Sequence, residues 1–212
     1  MAGPHGVGGG SLMARQSERA AATREALLSA ARDVFTTQGF SEASITEVVA
    51  VAKASVGSLY HHFGGKADLY LALFEDYQAR QEARASAAVA AARAAGPATP
   101  VELFLAGSRA FLEGCWADRA LARLFLSGGG PPGFELVSRR RYRDWMRLNE
   151  LLLGNQEDPP GEPSTEVLVL VLTTVVSEAG AEVAVSDGPE RARRVIDDVL
   201  TLIGRIAAPQ GG

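Results

Sequence analysis

The chain has 212 residues, of which 47% are hydrophobic, and its 21 Lys and Arg against 25 Asp and Glu give a formal net charge of −4. That length supports one large domain or two smaller ones with separate cores. The acidic balance excludes a protein that coats nucleic acid over its whole surface, so any binding to nucleic acid would have to come from a local patch. The single cysteine, Cys115, excludes an intrachain disulfide and suits a reducing cytoplasm. No continuous apolar run opens the chain as in a secretory signal. The longest apolar stretch, residues 167–176, is half of the about 20 residues that cross a bilayer. A cytoplasmic protein without membrane contact is expected.

Residues 1–12 are rich in glycine and read as a flexible tail, with the first domain starting near residue 17. Leu27, Ala31, Val34 and Phe35 then recur at helical spacing, and Gly39 marks the stop. Ser44 followed by Glu47 is a capping box. It predicts a second helix over 45–52, with Ile45, Val48 and Val49 facing inward. Ser55 caps a third over 56–63, with Leu59 and Phe63 on one face. Gly64 and Gly65 separate it from a fourth, long helix over 66–95.

After a Gly/Pro turn at 96–100, helices are predicted over 101–116, 121–126, 134–153, about 165–184 and 189–207, with loops at 128–133 and 154–163. Ser164 caps the helix that follows it. Asp187 and Glu190 spell a further capping box around Pro189. Residues 167–176 are β-branched enough for a buried strand, but no second run exists to pair with one, so helix is the reading. The fold class is all-α, in three parts: a tail at 1–16, a helical head at 17–66 and a larger helical domain at 67–212.

Two short capped helices joined by Lys53 and Ala54 form a helix-turn-helix. In such a unit the first helix crosses the DNA backbone and the second lies in the major groove. Leu59 and Phe63 turn inward, leaving Val56, Gly57, Ser58, His61 and His62 outward and Tyr60 at the edge. The stretch 45–66, above all Ser55-Val56-Gly57-Ser58-Leu59-Tyr60-His61-His62-Phe63-Gly64-Gly65-Lys66, resembles the DNA-binding signature of the TetR family of transcription regulators. The resemblance covers about residues 20–75. Over 96–212 it is architectural only.

The resemblance implies that Tyr60 and Lys66 touch DNA phosphates, Lys66 with help from a helix N-terminus. It places Ser44 and Ser55 at capping positions near the DNA backbone, and Val56, Ser58 and His62 toward the groove. Val56 suits a thymine methyl, and Ser58 can hydrogen-bond either class of base.

Three positions depart from the family pattern. Lys53 stands where the turn usually has glycine, which implies either a left-handed lysine or a different turn. Val56 stands where relatives often carry a polar residue. Gly65 stands where a Ser or Asp often caps the next helix. Between residues 15 and 66 there are six basic and five acidic residues, so few phosphate contacts and a moderate salt dependence are expected.

The remaining chemistry-bearing motifs read as structural. His61 and His62 are neighbours, pointing about 100° apart on a helix, and lack a third ligand, so no metal is expected. Gly128-x-Gly130-x-x-Gly133 matches a dinucleotide pattern by letter, but no strand precedes it and Pro131 and Pro132 remove N–H groups a pyrophosphate would need. Arg139, Arg140, Arg141 and Arg143 fan around a helix and read as a solvated face, an acidic ligand being the rival. Cys115 reads as a buried thiol. No histidine follows residue 62, which removes Cys–His and Ser–His–Asp catalysis from the second domain. No enzyme and no cofactor are expected.

From the resemblance come the larger expectations. They are a homodimer through the last two helices, with Val169, Leu172, Val176, Ala179, Val195, Val199 and Leu202 suited to that burial, and a palindromic double-stranded operator with half-sites about 34 Å apart. A small-molecule inducer would release the DNA. Its candidate wall residues are Phe104, Ser108, Phe111, Cys115, Trp116, Phe125, Tyr142, Trp145 and Met146, though pockets and cores use the same residues. The rival reading is a helical ligand-binding or adaptor protein without DNA binding.

Overall fold

The computed structural model describes residues 9–126, 129–154 and 164–207, and among these there are nine helices and no strand. In chain order they are α1 (Gly9–Glu42), α2 (Ile45–Val51), α3 (Val56–Phe63), α4 (Lys66–Ala95), α5 (Pro100–Ala117), α6 (Arg119–Leu126), α7 (Phe134–Leu153), α8 (Thr165–Val185) and α9 (Pro189–Ala207). The chain divides into two compact units, Met1–Phe74 and Glu75–Gly212.

In the first unit α1 begins at Gly9, inside the segment read from composition as tail. Met13, Ala14, Arg15 and Gln16 are exposed, yet they are fair helix formers on the end of a formed helix, where adding a residue is cheap. Gly39 interrupts α1 at φ 80°, ψ 171°, a backbone open to glycine. Leu27, Phe35, Leu59, Leu69 and Tyr70 are each 0% exposed and form the centre of this unit. Tyr70 packs edge-on against both Phe35 and Phe40, which are tilted against each other, with centroids 5.2 to 6.1 Å apart. Tyr70, Leu73 and Phe74 thus belong to the head's core, which places its limit eight residues beyond the expected one. The reason is that the first turns of α4 carry the apolar residues that close that core.

The turn between α2 and α3 is a Schellman motif, with Lys53 N–H donating to Ala50 O at 3.2 Å and Ala54 N–H to Val49 O at 2.9 Å. Its left-handed position holds Lys53, at φ 51°. Replacing Lys53 by glycine removes the clash of a Cβ with the backbone but loosens the unfolded chain, so Lys53→Gly is expected to stabilise by up to about 1 kcal/mol. Urea unfolding measures this, and a loss of stability contradicts the strain.

In the second unit α5 opens on a capping box that the sequence reading passed over as linker. Thr99 Oγ1 accepts from Glu102 N–H at 3.2 Å and Glu102 Oε2 accepts from Thr99 N–H at 2.7 Å, with Pro100 in the first turn. α9 differs from expectation at its start: the Gly188 carbonyl accepts from Ala192 N–H at 3.0 Å, so Gly188 rather than Asp187 stands at the cap. The core gathers Phe104 and Leu112 from α5, Leu172, Val176 and Val183 from α8 and Ile203 from α9. Gly180 lets α8 approach α5 closely, since a Cβ there would lie 3.0 Å from Phe111 and 3.1 Å from the Cys115 sulfur.

By length and composition α8 is apolar enough to cross a membrane. Here Val169, Leu172, Val176 and Val183 are spent on the core.

Val169, Leu172, Val176 and Ala179, read as interface candidates, are buried within the chain itself, Val195 and Val199 are half-buried, and Leu202 alone of that group is exposed. Helical periodicity finds the apolar stripes of α8 but does not say which stripe meets which neighbour.

Candidate functional site

The helix-turn-helix is built by its caps. Ser44 Oγ accepts from Glu47 N–H at 3.2 Å, and Glu47 Oε2 accepts from Ser44 N–H at 3.0 Å and Ser44 O–H at 2.9 Å. Gln38 Nε2 adds a bond to the other carboxyl oxygen at 3.2 Å. Hydrogen bonds from Ser44, then Gln38, hold the Glu47 carboxyl below its ordinary pKa. The Ser44 hydroxyl is therefore occupied at both its donor and an acceptor site. Ser55 Oγ accepts from Ser58 N–H at 3.0 Å and keeps its own proton for a further partner.

α3 is anchored by Leu59 and Phe63, with Arg24 of α1 lying 5.1 Å over the Phe63 ring. Its other face is open: Val56 is 44% and Tyr60 53% exposed, Gly57 and His61 are exposed, and Ser58 and His62 are half-buried. The Tyr60 hydroxyl makes no hydrogen bond among the described residues. A Cβ on Gly57 would meet only Ser55 Oγ, at 3.9 Å, so nothing inside the chain requires glycine there. The rings of His61 and His62 sit edge-on, 5.2 Å apart, and no third metal-ligating side chain joins them among the described residues.

Lys66 is placed differently from a free phosphate contact. Its ammonium donates to Ser41 O at 3.2 Å and to Ala43 O at 2.8 Å, and lies 4.5 Å over the Phe40 ring. It ties the start of α4 to the corner between α1 and α2. One of its three protons is left over. Partners 23 and 25 residues away leave no local sequence signal. Gly65 supplies no side-chain cap to α4, and its carbonyl accepts from Leu69 N–H at 3.0 Å.

In the second unit a cleft of about 300 Å³ opens between α4, α5 and α7. Of the candidate wall residues it brings together Phe104, Ser108 and Trp145. The others lie elsewhere. Phe111 backs Trp145 at 5.6 Å. Cys115 is in the core 3.8 Å from the Tyr77 hydroxyl, and Phe125 packs on Tyr77 at 5.4 Å. Burial, chiefly, raises the pKa of both Tyr77 and Cys115, the thiol to about 12. Trp116 carries Arg119 at 4.7 Å over its ring and lines a depression between α5 and α9. Tyr142 O–H donates to Thr174 Oγ1 at 2.8 Å, the Thr174 proton going to Leu170 O. Met146 is half-buried outside the cleft.

The sequence reading missed Val89 and Asn149, which also line the cleft. Gly107 is the signal that was present for α4: a Cβ there would stand 3.1 Å from Val89 Cγ2, so a glycine inside a helix marked where α4 and α5 close together. The loop at 130–133 is a turn into α7, with Phe134 N–H bonded to Pro131 O at 3.0 Å. Gly128 lies outside the described residues.

Residues 27–73 match the family model for bacterial regulatory proteins of the tetR family. The chain is 40% identical over 58 residues to the HTH-type transcriptional repressor BepR of Brucella suis, 27% of this chain and 28% of that protein. It is 37% identical over 73 residues to the HTH-type transcriptional regulator UidR of Escherichia coli K12, 34% of this chain and 37% of that one. The chain thus spans about a third of the length of the curated relatives it matches.

The fold reaches further. A transcriptional regulator from Aquifex aeolicus superposes at a TM-score of 0.68 with 19% identity, over 87% of this chain and 99% of that one. A TetR-family regulator from Syntrophomonas wolfei superposes at 0.70 with 14% identity, over 89% and 96%. Salmonella enterica GusR gives 0.64 with 20% identity, over 87% and 94%. The fold is shared over 87–89% of this chain, and the family model matches the segment 27–73 that holds the helix-turn-helix. Through residues 27–73 the chain is similar to the bacterial regulatory proteins of the tetR family.

Proposed function

We propose that the chain is a cytoplasmic transcription regulator, in the manner of a repressor, that binds a palindromic DNA operator as a homodimer and is released by a small molecule. The observation that carries this reading is the outer face of α3. It is small at Val56, Gly57 and Ser58, the first two exposed and the third half-buried, is held by two capped helices, and has at Gly57 a residue whose lack of side chain nothing among the described residues explains. A helix that must approach base edges does explain it.

The homodimer reading is supported by an apolar outer stripe on α8 and α9: Val167, Leu170, Val171, Leu202 and Ile206 are each 43–53% exposed. Apolar patches of this kind mark association surfaces. Ligand release is supported by the cleft in the second unit, and it requires the ligand to prefer one of two states.

Selection of bound duplexes from a random library, followed by affinity against salt, tests the reading. A palindrome with half-sites about one DNA turn apart is expected, with a modest salt slope. A folded dimer that enriches no duplex at low salt is instead a DNA-silent ligand-binding protein.

Variants separate the roles. Gly57→Leu is expected to gain up to about 0.8 kcal/mol of helix stability while losing DNA affinity. A variant that keeps both contradicts close approach. Tyr60→Phe weakens binding to every sequence alike, whereas Ser58→Ala shifts base preference. Lys66→Ala weakens DNA binding uniformly and, having lost two carbonyl contacts, also lowers the melting temperature.

A further inference from the structure

We propose that the cleft between α4, α5 and α7 takes an uncharged aromatic molecule bearing a hydroxyl group. This deepens the ligand-release reading above and rests on it. The walls are apolar and partly flat: Phe104 from α5, Val89 from α4, and Trp145 from α7, whose ring is braced by Phe111 at 5.6 Å. Volume and lining suit a two-ring molecule.

Two polar groups on this wall are left over by the fold. Ser108 is 5% exposed, and its hydroxyl makes no hydrogen bond among the described residues, not even to the carbonyl one helical turn back that a buried helical serine ordinarily takes. Asn149 spends one of its two amide N–H groups on Thr173 Oγ1 at 3.0 Å, and its carbonyl oxygen has no partner among the described residues. Ser108 is buried and Asn149 half-buried on the cleft wall, so a ligand covering them takes both from water and has to both donate and accept in its place. A hydroxyl does both, donating to Asn149 Oδ1 and exchanging a bond with Ser108 Oγ. A carboxylate can only accept, and leaves the Asn149 oxygen without a donor. The charged residues on the lining, Glu82 and Arg93, are exposed. No buried charge stands in the cleft to neutralise an ion, and burying an unpaired charge is costlier than burying a neutral group.

The test is equilibrium dialysis of the full chain against 2-naphthol, 2-methylnaphthalene and 2-naphthoate, read by naphthyl absorbance. Binding of 2-naphthol is expected, with 2-naphthoate at least about tenfold weaker. Ser108→Ala is expected to weaken 2-naphthol about five- to tenfold and to leave 2-methylnaphthalene unchanged. The proposal is overturned by any of three results: 2-naphthoate bound as tightly as 2-naphthol, equal losses for both neutral probes in Ser108→Ala, or no probe bound. The same preparation is assayed on its selected duplex. DNA binding without naphthol binding overturns the ligand class alone. Naphthol binding without DNA binding overturns the regulator reading and leaves the chemistry of the cleft standing.

Discussion

Phe35→Ala is expected to destabilise the first unit by about 3–5 kcal/mol, the usual cost of truncating a fully buried aromatic. Phe35 is 0% exposed and meets Tyr70 edge-on and Phe40 at a tilt. It joins α1, the α1–α2 corner and the first turn of α4, so no single neighbour can move to fill the space. A typical domain is stable by only about 5–15 kcal/mol, so DNA binding falls with the fold. Urea unfolding followed by circular dichroism measures the loss. A loss below about 1 kcal/mol means that the three elements do not share one core.

Leu172→Ala is expected to cost about 2–5 kcal/mol, and to do so in the second unit. Leu172 is 0% exposed in the middle of α8, among the residues that join α5, α8 and α9. Amide hydrogen exchange locates the effect: protection is expected to fall along α5, α8 and α9. Unchanged protection there contradicts the shared core.

Helix identity was legible almost residue by residue, because this chain announces its boundaries with local chemistry. Ser44 with Glu47, and Ser55 before Val56, each fix a start through a side chain reaching three residues on. Gly64 at φ 63° fixes an end, and Lys53 was correctly singled out as one of two alternatives, a left-handed residue without a glycine's freedom. Thr99 with Glu102 spelled the same signal and was passed over, since the adjoining Gly96, Pro97 and Pro100 read as linker.

What stayed hidden depends on tertiary contact. Nothing near Lys66 in sequence indicates that its ammonium ends on Ser41 and Ala43 carbonyls. Phe104, Phe111 and Phe125 are alike to any hydropathy scale, yet one lines the cleft, one braces its wall and one lies against Tyr77. Composition cannot separate those roles, because a helix's periodicity gives the direction of a side chain but not the neighbour it meets. The same limit explains why the outward stripe of α8 is Val167, Leu170 and Val171 rather than the residues beside them.

The burial of Cys115 has a practical corollary. The thiolate is the form that reacts with alkylating and maleimide reagents. This chain's one thiol is 2% exposed and pushed up to about 12. Toward such reagents the native protein behaves as if it contained no cysteine. A cysteine introduced at Val56 or His61 is then the sole labelling position, and a fluorophore placed there reports on the recognition helix without any prior removal of Cys115.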